Sequence, residues 1–333
     1  LVDYYNEVSM GRVHLRLKAI LDNDSNWYGL DQTYQYFVGK EDDFFVEAIF
    51  SALGIDYEPA NNEFFLIVHS GEGAKNRENY LLQSQMWPDG ILIAENERIG
   101  SLAHEVGHVL GELLFNSTTP DLYLMGNVKK WDLMALGAWN GGIFNIQGTH
   151  PPHMSSYVKE FLGWLHYQRY DLGEAGAWWI DALAELEYND PIIQYVMEAR
   201  SDNTPDKYYI VETRNPQDEC HRWDASAPQT GLVLYWVDTK GLPKHGDDVE
   251  NISQSIDIYT FMNSSDYFLD PVYLTTFRVT QEDQSACHYS AKLEINPAAP
   301  PQENLAGIIL LPDGQVALDI APIYPSAFPV LNP

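Results

Sequence analysis

His104-Glu-Val-Gly-His108 is the stretch on which the reading of this chain turns. A four-residue step along an α-helix turns the chain by about 400°, so His104 and His108 project from one face, a single turn apart. Two imidazole nitrogens can then be offered to one metal ion. Glu105 stands about 100° round the helix from His104 and reaches a water held there without being a ligand. Around the pentapeptide, Ile99, Leu102, Ala103, Val106, Leu110 and Leu113 fall at helical spacing. That stripe can be buried while the histidines look into a cleft. The spacing predicts a helix that starts between Asn96 and Gly100, and Gly107 leaves room for another segment to pack between the two histidines. Taken alone, the pentapeptide also fits a helix whose histidines are only hydrogen-bonded, so its surroundings have to decide.

A catalytic zinc takes a third protein ligand and keeps one position for water. Gly111 is expected to end the helix in a left-handed conformation and send the chain back beneath the metal. No histidine occurs between His108 and His150, so the candidate third ligands are carboxylates: Glu112, directly after the glycine, or Asp121. Met134 resembles the methionine of the tight apolar turn that floors the metal in metzincin-like proteases, a plain core methionine being the alternative. Asp132 is a candidate to hydrogen-bond a ligand imidazole.

At this point the chain resembles the immune inhibitor A type of secreted bacterial metallopeptidases, a zincin-like family. His104-Glu-Val-Gly-His-Val-Leu-Gly111 is similar to the first family segment, and Pro120-Asp-Leu-Tyr123 to its end, after an apparent insertion over residues 112–118. Trp131-Asp-Leu-Met-Ala-Leu-Gly-Ala-Trp-Asn-Gly141 resembles the second segment. Pro151-Pro-His-Met-Ser-Ser-Tyr-Val-Lys-Glu-Phe-Leu-Gly-Trp164 resembles the third, a proline-led helix. Asp3-Tyr-Tyr-Asn-Glu-Val-Ser9, Tyr209-Ile-Val-Glu-Thr-Arg214 and Gly231-Leu-Val-Leu-Tyr-Trp-Val-Asp238 are similar to further family segments. The resemblance implies His104, His108 and Asp121 as zinc ligands, with Glu112 the alternative third ligand, and Glu105 as general base.

Composition bounds the function. Forty-eight acidic against nineteen basic residues give a net charge of −29, which argues against nucleic acid and anionic membrane surfaces as partners. No apolar run is long enough to span a bilayer as a helix, and protein or peptide substrates are the expected partners. A second cation, Ca2+, is a candidate at Asp22-Asn-Asp-Ser-Asn26, where a plain turn is the competing reading. Cys220 and Cys287 would form one disulfide in an oxidising compartment, worth roughly 4 kcal/mol by loop entropy, or remain as two thiols. A secreted, extracellular location is expected. Asn116, Asn251 and Asn263 head glycosylation sequons, which matter only in a host that uses them.

The fold class expected is α+β: a zincin-like mixed α/β catalytic domain over residues 1–168, followed by a β-rich, sandwich-like domain over 169–333. Residues 42–53 read as an amphipathic helix stopped by Gly54, residues 63–69 as a buried strand, and residues 91–93 as another strand before the site helix. His69, at the end of its strand, either faces the cleft or is structural. Beyond residue 170, strands are expected at 208–213, 232–237, 255–260, 272–279, 291–295, 308–311 and 316–320. Residues 297–301 read as a stiff proline-rich connector. Candidate electrophiles for a tetrahedral oxyanion are Tyr123, His150, His153 and Tyr157, the last two a helical turn apart behind Pro152.

The expected function is zinc-dependent endopeptidase. An amidase or aminopeptidase of narrower specificity would share its chemistry. The alternative from another class is a silent adhesin or glycan-binding module on a zincin scaffold, with Trp178 and Trp179 stacking on sugars.

Overall fold

The computed structural model describes residues 1–16, 30, 42–54, 63–70, 85–87, 90–115, 128–141, 146–187, 190, 192–199, 201–216, 223–238, 256–262, 266–270, 272–273, 275–285, 288–296, 308–310 and 316–318. Residues 22–26 and 297–301, Asp121, Tyr123, both cysteines and all three sequon asparagines lie outside these.

The first half is mixed α/β. Helix α1 (Val2–Val8) buries Tyr4, Tyr5 and Val8. Helix α2 (Asp42–Leu53) ends as expected at Gly54, whose φ of 63° is the left-handed stop that glycine takes without strain. Strands β1 (Phe65–His69) and β3 (Gly90–Ala94) pair in parallel, with β2 (Gln85–Trp87) antiparallel on the other side of β3. The central strand β3 is buried throughout. Strand β1 is not, because Leu66 and Val68 point outward with 42% exposure each, so the expectation of a buried strand here is corrected. An edge strand with one covered face alternates. His69 turns to the buried side, its Nδ1 3.1 Å from the Ser70 carbonyl oxygen.

Helix α3 (Ile99–Phe115) carries the histidines. It starts where the apolar period does, but it runs through Gly111, which does not terminate it. The residues that follow, Glu112-Leu-Leu-Phe115, are good helix formers at Glu and Leu, and they outweigh the roughly 1 kcal/mol that one interior glycine costs. Short 3₁₀ turns at Lys129–Trp131 and Leu136–Trp139 follow. The proline-led helix is also shorter than the sequence suggests. Helix α4 spans Ser156–Phe161, so His153 precedes it and does not share a helical face with Tyr157.

The remaining chain forms strands β4 (Tyr167–Asp171), β5 (Gly176–Asp181), β6 (Ile192–Ala199), β7 (Pro205–Arg214), β8 (Gly231–Asp238), β9 (Ile256–Met262), β10 (Tyr267–Leu269), β11 (Thr276–Ser285), β12 (His288–Asn296), β13 (Ile308–Leu310) and β14 (Val316–Leu318). Their order is β4-β6-β7-β8-β9 in one sheet and β10-β11-β12-β5 in another, with β13-β14 a separate pair. The expected strand at 272–279 begins only at Thr276. Asp270 ties down the preceding turn by accepting the Val272 and Tyr273 N–H groups.

The five-stranded sheet is covered on both faces, and the two-residue period sorts its side chains. Tyr208, Ile210, Val233, Tyr235 and Val237 join the core that also holds Tyr4, Tyr5, Val106 and Met134. Tyr209, Val211, Leu232 and Leu234 join Phe277, Val279, Tyr289 and Leu293 of the four-stranded sheet. Trp178 packs at 4.4 Å from the Tyr170 ring, while Trp179 is half exposed on the outer face of β5.

Candidate metal centre

On α3 the two imidazoles converge. Their Nε2 atoms lie 3.0 Å apart and the rings are nearly perpendicular, with centroids at 4.6 Å. Two nitrogens on one tetrahedral zinc, each at about 2.0–2.1 Å from it, are roughly 3.3 Å apart, so the pair is spaced for a shared cation. His104 Nδ1 sits 3.0 Å from the Leu133 carbonyl oxygen. A carbonyl only accepts, so this contact assigns the proton to Nδ1 and leaves the Nε2 lone pair directed at His108. The donor set therefore fits a metal: two imidazole nitrogens on one helix face, both side chains half-buried and the His104 tautomer fixed. Glu105, also half-buried, stands between them in sequence.

Leu133 is held in place by its neighbours. The fully buried Asp132 carboxylate accepts the Met134 N–H at 2.6 Å and the Ser155 N–H at 2.5 Å. Its own carbonyl accepts the N–H groups of Ala135 and Gly137. Burial raises the Asp132 pKa, while the N–H groups of Ser155 and Met134 pull the other way. Asp132 thus acts on His104 through the Leu133 carbonyl, where the sequence had suggested a direct bond to the ring. Met134 is fully buried beneath the helix: a Cβ on Gly107 would stand 2.4 Å from its sulfur and 3.1 Å from the Met154 methyl. Gly107 is required for this close approach.

The start of α4 is capped by distant carboxylates. Ser155 N–H goes to Asp132, and Ser156 N–H goes to Glu212 at 2.8 Å. Negative charge there complements the helix dipole and satisfies N–H groups that have no partner within the helix. Behind it lies a buried ionic network. Arg214 bonds Asp224 through Nε and through Nη2, the latter at 2.7 Å, and bonds Glu212 through Nη1 at 2.9 Å. Tyr235 donates to Glu212 at 2.6 Å. Burial works against the Arg214 charge, but Asp224 and Glu212 outweigh it and its pKa is raised. Lys159 Nζ lies 2.9 Å from His153 Nδ1, and His153 Nε2 lies 3.1 Å from Glu7. Burial, and then the Arg214 charge, push the Lys159 ammonium down to about 7 against the pull of Asp224, Glu212 and Glu7.

Of the residues singled out in the sequence, His104, Glu105, His108, Asp132 and Met134 are brought together here. His153 and Tyr157 are buried, and His153 serves the ionic network. His150 contacts Thr149 Oγ1 at 2.9 Å. Glu112 continues the α3 backbone one turn past His108. Among the described residues no group of three His, Cys, Asp or Glu side chains is placed to hold a metal; the Glu112 side chain and Asp121 lie outside them. Sequence reasoning assigns no role to Tyr4 or Tyr5, to the Leu133 carbonyl or to Lys159. A tyrosine pair beside an acidic turn of helix was the one visible signal.

Residues 59–168 match the family model described as immune inhibitor A peptidase M6, catalytic domain. Over this segment, about a third of the chain, the sequence is similar to the immune inhibitor A peptidases. The match takes in β1 to β3, α3, both 3₁₀ turns and α4, which are the elements that build the centre just described. Peptidase chemistry is what the description of that family states. No curated protein matches it, and no helix among the described residues is long and apolar enough to cross a membrane.

Proposed function

We propose that the protein is a secreted, zinc-dependent endopeptidase whose zincin-like domain, residues 1–168, is followed by a β-rich, sandwich-like domain, residues 169–333. The observation that carries the metal reading is the 3.0 Å approach of the two Nε2 atoms with His104 Nδ1 bonded to Leu133. His104 and His108 would hold the ion, with Asp121 as third ligand and Glu112 the alternative. Supporting Asp121, the described residue that follows its segment, Val128, is fully buried in the core that also holds Val106 of the site helix. Zinc, when bound, supplies Lewis-acid polarisation of the scissile carbonyl and acidifies a water. Glu105 takes the proton of the attacking water on a carboxylate oxygen and delivers it to the leaving amine, so both protonation steps run through one side chain. The acidic surface fits an extracellular enzyme acting on cationic protein segments.

The test separates binding from turnover. Glu105→Gln should keep stoichiometric zinc and lose casein hydrolysis by at least about 100-fold. His104→Ala should lose both. A fully active Glu105→Gln enzyme, or zinc retained at full stoichiometry in His104→Ala, would show that the roles are wrong.

A further inference from the structure

Two adjacent tyrosines of α1 reach two different segments of the metal centre. Tyr5 donates its hydroxyl to the Ala103 carbonyl at 2.5 Å, one residue before His104, and Tyr4 donates to the Pro152 carbonyl at 2.8 Å. Both rings are fully buried and meet edge to face at 5.2 Å. From Pro152 the chain runs to Ser155, whose N–H is bonded to Asp132. Asp132 accepts the Met134 N–H, and the carbonyl between them, Leu133, accepts the hydrogen bond of His104 Nδ1–H. The contacts close on themselves. Helix α1, helix α3, the 131–135 turn and the 152–155 segment form a ring whose four links, Tyr5 to Ala103, His104 to Leu133, Ser155 to Asp132 and Tyr4 to Pro152, each join segments distant in sequence.

We propose that the Tyr4–Tyr5 pair is a positioning device for the metal centre, with Tyr5 on the Ala103 carbonyl setting where His104 stands against Leu133. This rests on the reading of His104 as a ligand. Within the helix the Ala103 carbonyl already accepts the Gly107 N–H, so the Tyr5 hydroxyl takes its second lone pair and resists both sliding and rotation of α3. Ligand sites work only within about 0.5 Å of their geometry, a tolerance that one distant helix contact can decide. Burial, and then the Glu105 charge, hold the Tyr5 phenol well above its usual range, so it remains a donor throughout the assay range. Neither ring touches solvent, so the tyrosines act through α3 and the 152–155 segment and not on substrate.

The test compares Tyr5→Phe and Tyr4→Phe with Val8→Ala, a buried α1 change that removes no hydrogen bond. Zinc affinity by chelator competition, the visible spectrum of the cobalt-loaded protein and thermal melting are measured on the full chain. We expect Tyr5→Phe to weaken zinc about tenfold and to alter the cobalt spectrum, while Val8→Ala lowers the melting temperature with affinity kept within about twofold. Wild-type zinc binding with an unchanged Tyr5→Phe affinity and spectrum overturns the proposal alone. A wild type that binds no zinc, and that His104→Ala does not alter, overturns the metal reading beneath it.

Discussion

Replacing Lys159 by methionine isolates a buried amine whose charge the fold resists. Its Nζ is removed from solvent, faces the Arg214 guanidinium and is bonded to His153 Nδ1, with Glu7, Glu212 and Asp224 as counter-charges. The outcome of these opposing effects is a pKa of about 7 in place of 10.5. Below pH 7 both folded and unfolded chains carry the proton, and the folded state bears the whole cost of holding it. Between pH 7 and 10.5 the unfolded chain keeps the proton while the folded one releases it, so this side chain's contribution becomes more favourable as pH rises, by up to about 1.4 kcal/mol per pH unit. Across the window that amounts to roughly 5 kcal/mol, against about 1 kcal/mol for the lost bond to His153. Methionine, similar in volume and uncharged, removes the pH-dependent part. Urea unfolding of both proteins at pH 6, 7, 8, 9 and 10 measures it. Lys159→Met should be the more stable by the largest margin at pH 6 to 7, the margin shrinking toward pH 10. A difference that stays flat across this range, or one that grows with pH, would refute the assignment of a neutral amine in the folded core.

Two other substitutions probe the surroundings of the centre. Gly107→Ala gains about 1 kcal/mol of helix propensity but drives its Cβ into Met134, at a typical overpacking cost of roughly 1–3 kcal/mol. Denaturant melts should show Met134→Ala partly relieving that clash, with a favourable coupling of about 1 kcal/mol between the two changes; strict additivity would mean that the contact is not felt. Arg214→Met leaves Glu212 and Asp224 buried without their cation, and unfolding curves at pH 7 should show a loss of about 3–5 kcal/mol. An unchanged midpoint would show that this network does not hold the sheet to the site.

Local chemistry made some of this legible in advance. The apolar period bracketed the start of α3 between Asn96 and Gly100, and Gly54 marked the end of α2, because a helix face and a left-handed stop are written in neighbouring residues. The segments at 208–213 and 232–237 are strands as read, and the structure adds that both of their faces are covered. Gly111 misled, since a helix ends where the sum over several residues fails and not at one glycine. Strands β4, β5 and β6 were not foreseen individually. Charged and polar residues interrupt β4, and β6 is covered on one face by the core of the first half and on the other by the four-stranded sheet.

The sequence by itself determined that His104 and His108 share a helix face with Glu105 between them, because a four-residue step on a 3.6-residue helix permits little else. Only the tertiary structure decided how that face is held. The tautomer of His104 comes from the carbonyl of Leu133, the start of α4 from the carboxylates of Asp132 and Glu212, and the seating of α3 from Tyr5. Each of these is a hydrogen bond between groups at least 23 residues apart. Any carbonyl or carboxylate in the chain could have served, and only the close packing of four segments chooses which one does.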